Sequence, residues 1–287
     1  MITLKELHPL GWGKNSLYVR LFCLGEPAKT AVALFHGLRT DSREFGDFPA
    51  DLAALGHLVL TLDFSGHGRS SGLPGHICAQ SHRWDAFVAL DCLREKPPVD
   101  IVVVGHSFGA RAALVAALER EDVKAAVLIA PQYRSGAGLV GARRLAFALF
   151  SRYARFIPSY MKRVAIPMSP NYAANFTDFR AAAWAESVAW DPGYIRLSTL
   201  AYAASMDNTV LARKLSKPVL VIACGKDKKA PPASAKRLFE SFQSVHKTFA
   251  LLPHSGHSPF QDVDRGMLLH LVSQFVGDKM FQMGLGR

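Results

Sequence analysis

Between the apolar run Ile101–Val104 and a helix-like stretch reading FGARAALVAALE lies the pentapeptide Gly105-His106-Ser107-Phe108-Gly109. A strand that turns into a helix within so few residues brings backbone segments into near contact. Glycines two residues before and two after the serine meet that steric need. Ser107 is then held at the carboxyl edge of a sheet. The helix that follows aims free N–H groups, and the positive end of its dipole, at developing negative charge. An ordinary serine in a glycine-flanked turn would show the same spacing, but the strand before and the helix after make Ser107 a nucleophile candidate.

The remainder of the chain alternates in the same way. Strand-like runs occur at Ser16–Leu24, Thr30–His36, Leu58–Asp63, Asp100–Gly105, Val123–Ala130, Lys217–Ala223 and Lys247–Leu252. Several are almost continuously apolar, as strands buried on both faces of a parallel sheet are. Helical patterns at Phe48–Leu55, Ala79–Leu93, Phe108–Glu121, Ala233–Phe242 and Asp264–Val276 fall among them. The alternation predicts an α/β fold, a mostly parallel central sheet with helices on both faces. It breaks once, between the Val123 and Lys217 runs, where residues 132–206 hold no clear strand. A structureless loop of that length is implausible in a compact domain, so a helical cap is expected there. Residues 1–131 and 207–287 would then form the two parts of the core.

Composition removes several alternatives. Apolar residues make up 49% and charged residues 20%, which excludes extended disorder. No apolar run approaches the ~20 residues that span a bilayer. The first residues carry Lys5 and Glu6 and no apolar stretch, unlike a secretory signal. Cys23, Cys78, Cys92 and Cys224 form no Cys-x-x-Cys pair, which argues against structural zinc and a disulfide framework. Reduced thiols in a cytoplasmic protein are expected, with a Cys78–Cys92 bridge as the exception weighed. The net charge of +11 invites a polyanion or an anionic membrane. No block of five like charges supports a nucleic-acid partner.

A serine hydroxyl needs a base, and the base needs an orienting carboxylate. Asp227 follows the strand PVLVIAC, at the carboxyl end where such sheets place functional groups. Asp207, in MDNTV, is the alternative acid. Downstream histidines are His246, His254, His257 and His270. His246 precedes the last strand and His270 lies in the last helix. His254 and His257 share the intervening loop, and Gly256, which permits close approach, favours His257. Asp63, His67 and Ser70 cluster without a metal-ligand spacing, and no metal or cofactor is expected. His36 and His106 read as hydrogen-bonded core histidines.

The order Ser107, Asp227, His257 resembles that of the α/β-hydrolases, over nearly the whole chain. His36-Gly37 follows the strand AVALF, where that superfamily places its first oxyanion-hole loop. Asp63-Phe64-Ser65-Gly66-His67-Gly68-Arg69-Ser70-Ser71-Gly72 resembles the D-x-x-G-H-G-x-S-x-G loop. With a cap after the sixth strand, these features are similar to the lysophospholipase and monoacylglycerol lipase branch, which includes so-called serine aminopeptidases. Trp190-Asp191-Pro192 followed by Arg196 is similar to a segment of that branch's cap. Ala110 departs from relatives that carry a second glycine after the elbow. The resemblance implies an oxyanion hole made by the backbone N–H groups of Leu38 and Phe108.

The function expected is hydrolysis of carboxylic esters of apolar acyl groups through an acyl-enzyme. Thioesters and amides are open to the same residues, and a non-catalytic ligand-binding relative is the other class of reading. A further expectation concerns Gly141–Phe156, read as one helix. Arg144, Ser151, Arg152 and Arg155 share a face, Phe147, Leu149, Phe150, Tyr153 and Phe156 fill the rest, and Pro158 ends it. The plainer expectation is an apolar side that covers the site, with solvated arginines. The sharper one is contact with an anionic membrane through the cap.

Overall fold

The computed structural model describes residues 2–24, 28, 30–93, 100–134, 141–153, 156, 161–169 and 173–282. Eight strands form one sheet in the order β1-β2-β4-β3-β5-β6-β9-β10. They are β1 (Thr3–Leu7), β2 (Tyr18–Cys23), β3 (Ala31–Phe35), β4 (Leu58–Asp63), β5 (Ile101–His106), β6 (Val123–Ile129), β9 (Val219–Cys224) and β10 (Lys247–Leu252). β1 pairs with β2 and β2 with β4 antiparallel, and the other pairings of this sheet are parallel. This is the α/β architecture expected from the alternation of runs.

The apolar runs are continuous because both sheet faces are covered. Along β5, Val103 packs with Ala86, Ala89 and Leu90 of α2 (Ala79–Asp91) and Ala113 and Leu114 of α3 (Gly109–Glu119). Val102 and Val104 face the other way, towards Phe48 and Leu52 of α1 (Phe48–Ala54) and Leu268 and Val272 of α9 (Arg265–Gln282). Alternate side chains thus enter different cores, the two-residue period of a strand. β4 lies on one side of β3 and β5 on the other, so the chain reverses direction across the sheet at β3. Loops leaving the carboxyl ends of strands diverge at such a reversal and leave a crevice.

Between β6 and β9 the chain forms α4 (Gly141–Tyr153), β7 (Ala165–Pro167), α5 (Phe179–Val188), β8 (Tyr194–Arg196), α6 (Leu197–Ser205) and α7 (Asn208–Ala212). β7 and β8 correct the expectation of a strand-free segment: Ala165 pairs with Arg196 and Pro167 with Tyr194. Three residues per strand are too few for an alternation to register. β1 also escaped notice, since residues 3–6 are all exposed and nothing imposes a pattern on them. Pro232–Ser241 forms the remaining helix, α8. Cys78 and Cys92 cap opposite ends of α2 and none of the four cysteines is in a disulfide, which rejects the Cys78–Cys92 bridge.

Of the expected helix Gly141–Phe156, the described residues Gly141–Tyr153 form α4, and its facing differs. Arg155 and Pro158 lie outside the described residues. Phe147 and Phe150 are half-buried, whereas Leu145, Leu149 and Tyr153 are 64%, 52% and 58% exposed. A wide apolar arc wrapped only around the core is therefore not what forms. Four-residue steps place Leu145, Leu149 and Tyr153 in one row along the outer side.

The inserted segment is fastened to the sheet domain at a buried carboxylate. Asp262, 4% exposed, accepts from the Thr177 and Asp178 N–H groups, the Thr177 hydroxyl and the Gly256 N–H. One side chain thus joins the segment before α5 to the loop after β10. Each buried donor left without a partner costs about 1–3 kcal/mol. Asp262→Ala should lower unfolding stability by at least about 2 kcal/mol in urea, and expose the 175–178 region to limited proteolysis before the sheet domain.

Candidate active site

The elbow forms as the spacing demands. Ser107 has a φ of 50°, a left-handed conformation uncommon outside glycine, and its N–H bonds to the Ile129 carbonyl at 2.9 Å. A Cβ on Gly105 would stand 2.5 Å from the Gly109 carbonyl oxygen, and one on Gly109 would stand 2.2 Å from that of Phe35. Neither position accommodates a side chain. Ala110 is fully buried at the start of α3 and leaves this geometry intact.

Continued parallel hydrogen bonding draws the other loops to the same edge. Gly225 N–H bonds to the Leu252 carbonyl at 2.7 Å and Lys226 N–H to that of Ser255 at 3.0 Å. Asp227 then accepts the His257 Nδ1 proton across 2.7 Å, while His257 Nε2 lies 2.9 Å from the Ser107 hydroxyl. The Asp227 carboxylate is fixed by Lys229 N–H at 2.7 Å and Ala230 N–H at 2.8 Å. With Nδ1 protonated towards Asp227, Nε2 is the bare nitrogen able to take the serine proton. The three residues singled out from the sequence are therefore brought into one hydrogen-bonded line.

The alternatives lie elsewhere. Asp207 caps α7 and pairs with Arg134. His254 gives its N–H to Asp264 at 2.7 Å and accepts the Thr177 hydroxyl proton at its carbonyl. Gly256 does permit a close approach, but of the insert: its Cβ would stand 2.5 Å from the Asn175 carbonyl oxygen. Asp63 braces two loops by accepting from Ser42 and Arg69 N–H groups. His36 Nε2 accepts the Phe64 N–H at 3.0 Å. Burial, aided by His36, pushes His67 down to about 3, so it is a neutral packing group.

Leu38 lies in the loop after β3, and Phe108 directly follows Ser107 in the elbow. Among the described residues, neither backbone N–H meets a protein acceptor. Leu38 shares with Ser107 the wall of a cavity of about 310 Å³. Its other side is the insert: Met168, Phe176, Trp184, Val188 and Ile195. Arg39 and Asp191 form an ion pair of 2.8 Å at this wall, 14% and 9% exposed, and Arg39 also donates to the Met168 carbonyl. Arg39, Glu44, Lys229 and Asp262 carried no local motif and were not singled out from the sequence. Asp191 stood in the quoted Trp-Asp-Pro segment, the one available signal of the pair.

Burial pushes His257 below its ordinary value of 6.5, against the pull of Asp227, and positive charge on His106 and Lys229 pushes the same way. The ring therefore stays neutral to lower pH than a free imidazole. Its NMR titration should show a midpoint under 6.5, and Asp227→Asn should move that midpoint lower still, because the charge favouring imidazolium is removed.

The chain is similar to known proteins over most of its length. The family model described as serine aminopeptidase, S33, matches residues 26–264. A monoacylglycerol lipase of Mycolicibacterium smegmatis is 24% identical over 249 residues, covering 85% of this chain and 87% of that protein. The monoacylglycerol lipase structure of Paleococcus ferrophilus superposes with a TM-score of 0.75 at 20% identity, over 92% of this chain and 99% of the other. A soluble variant of the Saccharomyces cerevisiae monoglyceride lipase, in complex with a substrate analogue, gives 0.79 at 15% identity over 96% of each. The chain belongs to the serine aminopeptidase S33 family and has the α/β-hydrolase fold.

Proposed function

We propose that the protein hydrolyses carboxylic esters of apolar acyl groups, with a monoacylglycerol-like ester as substrate. The observation that carries this reading is the Asp227–His257–Ser107 hydrogen-bonded line at the wall of a mainly apolar cavity. Ser107 attacks the carbonyl carbon as its proton passes to His257 Nε2, and Asp227 steadies the imidazolium. Negative charge on the carbonyl oxygen is met by the Leu38 and Phe108 N–H groups, each such donor typically contributing ~3 kcal/mol. The tetrahedral centre collapses, His257 returns the proton to the departing alcohol, and an acyl-Ser107 ester is left. Water, deprotonated by His257, then releases the acid and restores Ser107. Residues 132–206 act as the cap, and Phe176, Trp184, Val188 and Ile195 supply the apolar surface for the acyl chain. Four cysteines outside any disulfide fit a reducing compartment such as the cytoplasm.

A fluorophosphonate probe should label the wild type and not Ser107→Ala; an unlabelled wild type would favour a non-catalytic relative. On p-nitrophenyl esters of increasing chain length and on monoacylglycerols, Ser107→Ala should lose at least ~10⁴ in kcat while keeping its circular dichroism spectrum. His257→Ala should match it and the double variant be little worse, since the residues act as a unit. His254→Ala should keep most activity. Faster turnover of a thioester or amide panel than of esters would move the substrate class while keeping the residues. The acid limb of kcat/KM should fall below pH 6.5, since only neutral His257 can accept the proton.

A second reading, membrane contact through the cap, is favoured by the outer row of α4. Leu145, Leu149 and Tyr153, with Phe156 67% exposed, stand beside an exposed Arg152. Apolar side chains beside a basic residue suit the boundary between headgroups and acyl chains, where each basic group contributes ~1 kcal/mol. Among the described residues no helix is long and apolar enough to cross a membrane, so the contact would be peripheral. The protein should cosediment with phosphatidylserine vesicles at low salt and be released at high salt. Leu149→Ser/Tyr153→Ser should weaken binding while short-ester hydrolysis persists. Equal recovery in the supernatant with and without vesicles would reject the contact.

A further inference from the structure

His106 precedes Ser107 at the end of β5 and is 2% exposed. Both its ring nitrogens face acceptors: Nε2 lies 2.8 Å from the His257 carbonyl oxygen and Nδ1 lies 3.0 Å from Glu44 Oε1. A neutral imidazole has one N–H and one bare nitrogen, so it can serve only one of two acceptors. The two contacts together require a second proton, held by the ring or shared along the bond to Glu44. Written as charges, the unit is an imidazolium beside a carboxylate, both removed from water. Burial alone would discharge the ring, but Glu44 at close range, joined by Asp227 farther off, prevails and raises its proton affinity.

The same Glu44 oxygen takes the Gly37 N–H at 2.8 Å. A Cβ on Gly37 would stand 3.3 Å from His106 Nδ1, so the loop that carries Leu38 rests directly on the pair. His106 in turn holds the His257 backbone, and its ring lies 5.1 Å from the His257 ring, centroid to centroid. Phe260 closes the far side edge-on at 5.3 Å. Three loops therefore meet at one ion pair.

We propose that Glu44 and His106 form a positioning pair, an ion pair with one shared extra proton that locks the Gly37–Leu38 loop to the His257 loop and keeps positive charge behind the His257 ring. The functional part rests on the reading of His257 as the base. The groups facing His257 are Asp227 at Nδ1, Ser107 at Nε2, the His106 ring, and Lys229 at the cavity wall. Those facing His106 are Glu44, Asp227 and His257. Around Glu44 the other charges are already matched, Arg43 with Asp41 and Arg39 with Asp191, apart from Lys229. Positive charge on His106 opposes a second positive charge on His257, so the base stays neutral to lower pH.

Glu44→Gln separates charge from shape. The amide oxygen, at the place of Oε1, still accepts the Gly37 N–H, but without the carboxylate charge the second proton is released and a neutral His106 ring keeps one of its two contacts. The experiment is ¹⁵N NMR of histidine-labelled protein from about pH 5 to about pH 9, with His106→Asn and His257→Asn as assignment controls. In the wild type His106 should show two N–H protons throughout; in Glu44→Gln it should show one. The His257 midpoint should rise in Glu44→Gln by about half a pH unit or more, and the acid limb of kcat/KM should move the same way. A brace that acts only sterically would leave that midpoint unmoved. A wild-type His106 with a single N–H overturns the proposal, and this spectrum decides even if the variant fails to fold. An unchanged His257 midpoint in a folded Glu44→Gln protein overturns it too. Neither NMR readout depends on turnover, so failure of the ester-hydrolase reading would be seen separately in the Ser107→Ala assays.

Discussion

Helix α3 and strand β3 meet at Gly109 with no room for a side chain between helix and strand. That contact sets the positions of everything that follows. It places the start of α3 beside the last carbonyls of β3, so the loop leaving β3 opens next to Ser107. Leu38, in that loop, thereby comes to share the wall of one cavity with Ser107. The left-handed Ser107 is the strain that the approach imposes, and residues in such conformations persist only where their surroundings over-determine them. Here the surroundings are β5, buried throughout, and the buried faces of β6 and α3.

Around this fixed point, polar side chains fasten loops that share no secondary structure. Asp63 holds the loop after β4 to the turn before α1, Asp264 shapes the turn before His257, and Asp262 reaches the insert. Each carboxylate serves several backbone N–H groups, the arrangement that makes a buried acidic group tolerable. The Arg39–Asp191 pair does the same across the cavity. Removing one partner of such a pair leaves an uncompensated charge, so it holds its loops strongly even where its net stabilisation is small.

What could be read in the sequence was what local pattern encodes. The apolar runs report burial on both faces, the glycines around Ser107 report a turn without side-chain space, and the order of Ser107, Asp227 and His257 follows strand ends. Longer-range roles left no such trace. Glu44 meets His106 across 62 positions and Asp262 meets Thr177 across 85, distances over which no periodicity carries information. Gly256 was legible as a site of close approach, yet which atom approaches it was not. β7 and β8 form because the insert folds back on itself, not because three residues prefer to be extended. The outward row on α4 runs against the common rule that an amphipathic helix turns its apolar arc to the core.

The contact at Asn175 has a consequence for how this fold can change. Its carbonyl lies against Gly256 and accepts the Ser258 N–H at 3.0 Å, so the insert grips the chain on both sides of His257. In many layered folds a segment inserted between strands is a replaceable cassette, free to vary in length and sequence while the scaffold endures. Here the scaffold's own loop is completed by the cassette. A transplanted insert would have to bring a backbone carbonyl to the same place and donors for Asp262, or the loop bearing His257 would lose two of its supports. The lining of the cavity and the geometry at the imidazole are thus inherited together, and drift in one is constrained by the other.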